Sequence, residues 1–147
     1  MYDYLLSLLY DLDGVQQNPK YHPEGDALFH SLQAFEIARS NSLEPILWAS
    51  ALVHDVGKAV ESHGHEHIGA EMLQGVLCED IVWLVQHHLD LMTAPRRTRH
   101  RFAGDPRLPL LQKLRQFDVQ GRDPNATTMS PEQALLLLKP FHSLIAA

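Results

Sequence analysis

The sequence predicts an all-α fold, a compact bundle of helices. Three observations predict it. Apolar residues recur at spacings of three and four along nearly the whole chain. Ser, Asp, Pro and Gly interrupt that pattern where helices should start and stop. No run is long enough, or alternates strictly enough, to demand a sheet, and no internal repeat is present.

The elements follow in order. Met1 to Tyr10 is apolar and reads as a first helix, closed by the Asp13-Gly14 turn. Gln16 to Gly25 carries Pro19 and Pro23 and reads as a loop. Asp26 is placed to N-cap a helix running to about Ser40. Pro45 suits the first turn of the next helix, which should end near Gly57. Val60 to Gly64 connects it to a third major helix, His65 to about Cys78, and Glu79 to Thr93 forms a fourth. Ala94 to Pro106 reads as an arginine-rich loop. Asp105-Pro106 starts a helix ending near Gly121. Ser130-Pro131-Glu132-Gln133 is a capping-box start, and the apolar helix after it runs through Leu135 to Leu138 and meets Pro140.

Length and composition narrow the class. The 147 residues make one domain, spanning 1–147. The single cysteine, Cys78, excludes an internal disulfide framework and a four-cysteine zinc site. The longest apolar runs fall far short of the roughly 18 residues of a membrane span. No basic residue precedes Lys20, so the start does not read as a secretory signal, and the expected setting is cytoplasmic. A net charge of −6 argues against a general nucleic-acid coat. The unusual count is histidine: there are ten, and six lie between His54 and His88. Histidine is the commonest metal ligand and a frequent acid or base.

The helical faces carry the next step. One stripe is Ala27, His30, Ala34, Ile37 and Ala38. A second is Leu47, Ala51 and His54, with Asp55 beside it and Lys58 one turn on. A third is Ile81, Leu84, Val85, His88 and Met92, and a fourth is Leu111, Leu114 and Asp118. Residues three and four apart share a face, so four helices each point a histidine or aspartate inward. Buried carboxylates are costly unless paired or metal-bound, and few inward cations are on offer. One metal ion would satisfy two histidines and two aspartates. Such a mixed nitrogen and oxygen set suits Mn, Fe, Co, Ni, Zn or Mg without choosing among them.

His30, then His54-Asp55-Val56-Gly57-Lys58, then Asp118 resembles the HD superfamily of metal-dependent phosphohydrolases. Between about 14 and 122 the chain is similar to the HD domain of bacterial tRNA nucleotidyltransferases. The segments that carry this likeness are Gly14 to Gln17, Tyr21 to Glu24, His63 to Glu66 with Gly69-Ala70, Leu84-Val85 leading to His88, and Asp118 to Arg122. No segment resembles the nucleotidyltransferase head, so the expectation is a free-standing HD domain. The resemblance implies that His30, His54, Asp55 and Asp118 hold one metal, and that His65 and His88 serve a second ion if two are bound. It implies metal-assisted hydrolysis by an activated water, with Asp55 and Lys58 as catalytic residues. Lys58 is the first candidate for contacting substrate, and Arg122 the second.

Seven of the 12 basic residues lie between 96 and 115. Arg96 and Arg97 are therefore candidates for steering an anionic substrate toward the metal. Tyr10 to Val15 looks like the opening motif of haloacid-dehalogenase phosphatases, but a helix end and an Asp-Gly turn suit this helical chain better. The expected substrate is a phosphomonoester or cyclic phosphodiester, such as a 2′,3′-cyclic nucleotide or a nucleoside monophosphate, with an RNA end as a further candidate partner. Two alternatives stand beside it: an HD-fold di-iron oxygenase, and a non-catalytic metal- or nucleotide-binding module.

Overall fold

Three helices stand at the centre of the chain and are apolar on two sides. They are α2 (Ala27–Asn41), α3 (Pro45–Val53) and α5 (Glu79–His87) in the computed structural model, which describes residues 1–147. Around them pack α1 (Tyr2–Asp11), α4 (His65–Leu73), α6 (Asp90–Thr93), α7 (Pro95–Arg101), α8 (Leu108–Gln120), α9 (Pro131–Leu138) and α10 (His142–Ile145). There are no strands, only isolated bridges such as Gln16 with Asp26. The expected all-α bundle is the observed one. No helix is long and apolar enough to cross a membrane.

Two apolar cores explain the two-sided helices. The larger takes Leu28, Leu32 and Phe35 from α2, Leu52 and Val53 from α3, and Ile81 and Val85 from α5. Helices α1 and α9 close it with Leu5, Leu9, Leu135 and Leu138. The smaller takes Ala34 and Ala38 from α2, Leu47 and Ala51 from α3, and Leu84 from α5, against Leu111, Leu114 and Phe117 of α8. Burying these side chains stabilises the fold by roughly 1.5–3 kcal/mol for each large residue.

The caps read from sequence are in place. Asp26 accepts from the Phe29 N–H at 2.9 Å. Gln133 N–H donates to Ser130 Oγ at 3.2 Å, and Ser130 N–H donates to Gln133 Oε1 at 2.9 Å. Asp11 and Asp13 are exposed at the end of α1, where Val15 N–H closes a turn onto Leu12 O. That is a helix end, with no strand for a dehalogenase-type motif to sit on.

Several ends differ from expectation. Helix α3 stops at Val53 rather than near Gly57, and Val56–Ala59 tightens into a 3₁₀ turn. The turn passes so close to α4 that a Cβ on Gly57 would lie 2.1 Å from the His65 carbonyl oxygen. Helix α4 ends at Leu73 rather than Cys78, because Gly75 turns the chain at φ +76°. The predicted fourth helix is broken between α5 and α6, with His88 at the break. Ala94 to Pro106 is not a loop throughout: Pro95–Arg101 forms α7. Its arginines gave no apolar stripe to read. Its anchor is Thr98, which is buried and donates to Asp90 O at 3.0 Å and Ala94 O at 2.7 Å. Past Pro140 the chain goes on into α10, which buries Ile145.

Candidate metal centre

The breaks in the helices build the site. His54 is the residue that ends α3, and Asp55 follows it outside the helix at φ −105°, ψ 8°. His88 ends α5, and His65 begins α4 after the left-handed Gly64. His30 comes from the first turn of α2 and Asp118 from the last turn of α8. All six are buried. The adjacent pair His54-Asp55 is thus aimed by a helix end rather than by the 100° step of a continuous helix.

Each histidine is fixed by the same device. Nδ1 donates to a backbone carbonyl: His30 to Gly121 O at 2.7 Å, His54 to Ala51 O at 2.7 Å, His65 to Ser62 O at 2.8 Å and His88 to Val85 O at 2.7 Å. A carbonyl only accepts, so Nδ1 carries the hydrogen and the Nε2 lone pair faces the centre. Gly121 can reach His30 because α8 ends against α2, where a Cβ would meet the Ala34 backbone nitrogen at 3.0 Å.

What the lone pairs face is more acceptors. His30 Nε2 lies 2.8 Å from Asp118 Oδ1. His54 Nε2 lies 3.2 Å from Asp55 Oδ2 and 3.4 Å from Asp118 Oδ1, in hydrogen-bond geometry with neither, and is a buried atom with no partner. His65 and His88 Nε2 lie 3.1 and 3.4 Å from Asp55 Oδ1 and 3.2 Å from each other. Such a cluster needs positive charge at its centre. Without an ion, a proton must supply it. Burial works against charging His54, but the Asp55 and Asp118 carboxylates overcome that and push its pKa up to about 10. Burial likewise opposes ionising Asp55 and Asp118, yet His54, helped at Asp55 by Lys58, holds both carboxyls well below their usual range. The donor chemistry therefore fits a divalent ion. His30, His54 and Asp118 form one candidate ligand group, and His54, Asp55 and His88 another.

A cavity of about 720 Å³ opens onto this centre. Asp55, His65, His88 and Asp118 form its floor. Its wall carries donors: Lys58, Gln17, Arg115 and Arg122. Lys58 Nζ lies 3.2 Å from Asp55 Oδ2 and donates to Gln17 Oε1. Arg115 Nη1 lies 3.6 Å from Asp118 Oδ2. Arg122 Nη1 donates to Tyr21 O at 3.0 Å. Gln17 Nε2 and Arg122 Nε are buried and have no partner in the protein.

The structure thus brings together His30, His54, Asp55, Asp118, His65 and His88, with Lys58 and Arg122 alongside. Arg96 and Arg97 do not join them. Both are exposed on α7 and neither lines the cavity, so the expected arginine loop is a separate helix outside it. His63 and His67 are exposed. His87 points elsewhere, bonding to Asp90 and packing on Trp83. Sequence reasoning missed Gln17, Arg115, His22 and Glu24. Arg115 lies three residues before Asp118, a spacing that shares a helical face and was a usable signal. Gln17, His22 and Glu24 sit in an irregular segment, where facing arguments have no period to use.

The HD domain profile matches residues 28–123. The multifunctional CCA protein of Hahella chejuensis is 34% identical over 121 residues, covering 78% of this chain and 29% of that protein. That of Halorhodospira halophila is 34% identical over 123 residues, covering 68% and 30%. That of Methylococcus capsulatus is 39% identical over 75 residues, covering 46% and 17%. The chain spans at most about 30% of the length of these relatives. HD domains bind divalent metals and are typically metal-dependent phosphohydrolases. With the family match covering most of its length and the His-Asp pair at its centre, the chain belongs to the HD domain family.

Proposed function

We propose that this protein is a metal-dependent phosphohydrolase acting on a phosphomonoester or cyclic phosphodiester of a nucleotide, with 2′,3′-cyclic nucleotides and nucleoside monophosphates as the leading substrates. One observation carries it. A single cavity has an acceptor-only floor that calls for a cation and a donor wall that calls for an anion. A phosphate ester bound beside a divalent ion answers both. About 720 Å³ is far more than a phosphate needs and is in the range of sites for whole small molecules.

His30, His54, Asp55 and Asp118 would hold the ion, and this ligand set suits Mn, Fe, Co, Ni, Zn or Mg without choosing among them. When bound, it supplies Lewis acidity and a water of lowered pKa. Asp55 turns Oδ2 toward His54 and Lys58 and Oδ1 toward His65 and His88, which supports a second ion held by the latter pair. Lys58 is placed to offset charge on phosphoryl oxygens close to the floor. Arg115, Arg122 and Gln17 Nε2 hold and orient the phosphate from the wall. An RNA end is a second candidate partner, with Arg96 and Arg97 acting at a distance through their charge.

The test strips the protein of metal, returns one divalent ion at a time, and follows hydrolysis of 2′,3′-cyclic AMP and nucleoside monophosphates. Turnover that requires metal and disappears in Asp55→Ala is expected. Folded, metal-loaded protein with no turnover on any of these esters would remove the reading, and iron with oxygen uptake would then be examined.

A further inference from the structure

His22 and Glu24 lie in the strap between α1 and α2, and the proposed chemistry uses neither. His22 lines the cavity with Asp55, Lys58, Asp118 and Arg122. Glu24 does not reach the cavity, and its side chain is completely buried. A buried carboxylate costs stability unless it is paired. Here one oxygen, Oε2, has no partner at all. The other accepts from His22 Nδ1 at 2.7 Å and lies 3.4 Å from His30 Nδ1.

The strap is tied down. His22 N–H donates to Asn18 O at 2.8 Å, Gln17 N–H to Gly25 O at 2.9 Å and Ala27 N–H to Val15 O at 2.9 Å. Arg122 holds the Tyr21 carbonyl. The His22 ring packs edge-on against His30, with centroids 5.2 Å apart and planes at 80°. Backbone, ring contact and carboxylate therefore fix one orientation. With Nδ1–H committed to Glu24, the other nitrogen of neutral His22 is an acceptor, and the bond to Glu24 is the only hydrogen bond its ring makes within the protein. Among the donors of the wall, this is an acceptor set aside for a ligand.

We infer that His22 is a specificity-determining residue that accepts a hydrogen bond from a ribose hydroxyl of a nucleoside monophosphate, and that Glu24 is the positioning residue that aims it. The inference rests on the phosphohydrolase reading for the phosphate and adds the sugar. Among the two proposed substrate classes this applies to ribonucleoside monophosphates, since a 2′,3′-cyclic ester has no free 2′ or 3′ hydroxyl, and the matching deoxyribonucleotide is discriminated against. A neutral hydrogen bond of this kind contributes up to about 1.4 kcal/mol, a tenfold preference, and more where loss strands a buried group.

The experiment compares AMP, 2′-deoxy-AMP and 3′-deoxy-AMP on the full manganese-loaded chain. Wild type should favour AMP over one deoxy analogue by about tenfold in kcat/KM. His22→Phe should erase that preference, with the loss falling on AMP. Glu24→Leu acts without touching the ring. It should erase the preference too, while Glu24→Gln, which keeps an acceptor, should restore part of it. Equal rates on all three in wild type, or an equal loss on all three in His22→Phe, overturns the inference. So does a Glu24→Leu variant that keeps the preference. If wild type hydrolyses nothing, calorimetric binding of the same three nucleotides is read instead. A preference in Kd that vanishes in His22→Phe upholds the inference while the hydrolase reading fails, and no preference overturns both.

Discussion

The floor and the wall of the cavity are built in opposite ways. The floor is side chains at helix ends and on helix faces, fully buried, each histidine pinned by a backbone carbonyl. The wall is a strap of irregular chain and the polar side of α8, partly open to water. The floor tolerates no change of charge, because its carboxylates and imidazole nitrogens crowd within 2.8–3.7 Å of one another. The wall shares its task among several donors, so each should be worth less. Breaking the floor should therefore abolish function, and breaking the wall should grade it.

The largest effect is expected at Asp55, whose two oxygens face both pairs of histidines. Asp55→Ala should lower metal affinity by at least 100-fold, beyond the 10–100-fold typical of residues that merely support ligands. Equilibrium dialysis of the folded variant measures it, and an unchanged Kd would place the metal elsewhere. Gly57→Ala attacks the same floor from behind, because its Cβ would occupy the space of the His65 carbonyl. A loss of about 2–4 kcal/mol in urea unfolding is expected, in the range of overpacked backbone sites.

The floor also has a pH signature in the metal-free protein. His54 has its pKa raised from 6.5 to about 10 in the fold, so the stability its proton contributes is complete below pH 6.5 and is lost as pH rises toward 10. The metal-stripped protein should lose several degrees of Tm over that window, and the loaded protein should lose little, since the ion replaces the proton. Parallel declines in both would mean that the ion does not sit on His54.

This contrast also explains what could be read from sequence. His30, His88 and Asp118 interrupt apolar stripes with helical spacing, so their inward direction was legible without a structure. The apolar stripes Leu47, Ala51 and Leu111, Leu114, which the smaller core buries, were legible for the same reason. Helix ends were less so. The stop at Val53 comes from a close approach of backbone at Gly57, a tertiary contact that no local propensity records. Helix α7 was invisible because its arginines surround it, and only Thr98 is buried. His22, Gln17 and Glu24 lie in segments that carried the family likeness, but their roles could not be read from facing, since the strap has no period and its geometry is set by hydrogen bonds to residues far along the chain.

On the wall, Lys58→Ala should reduce kcat/KM by about 100-fold, as removal of one preorganised electrostatic donor does. Lys58 is the wall residue closest to the floor, so the loss should fall on kcat more than on KM. Arg115→Ala stands one step farther out, 3.6 Å from Asp118, and should cost about tenfold, mostly in KM. A loss confined to KM in both variants would make the wall a binding surface only.

The smallest effect is expected outside the cavity. Residues 95–122 hold eight of the 12 basic groups and two of the 18 acidic ones, a local charge of +6 in a chain of −6. Arg96 and Arg97 contribute to that field without touching the cavity. An exposed charge acts over a Debye length of about 8 Å at physiological salt, so it changes encounter more than chemistry. Arg96→Ala with Arg97→Ala should leave kcat unchanged. It should raise KM for a nucleotide about twofold at low salt, and the difference should vanish at about 0.5 M salt, where screening is complete. A KM that differs from wild type by the same factor at every salt concentration would mean that these arginines make direct contact, and that α7 closes over the cavity when substrate is bound.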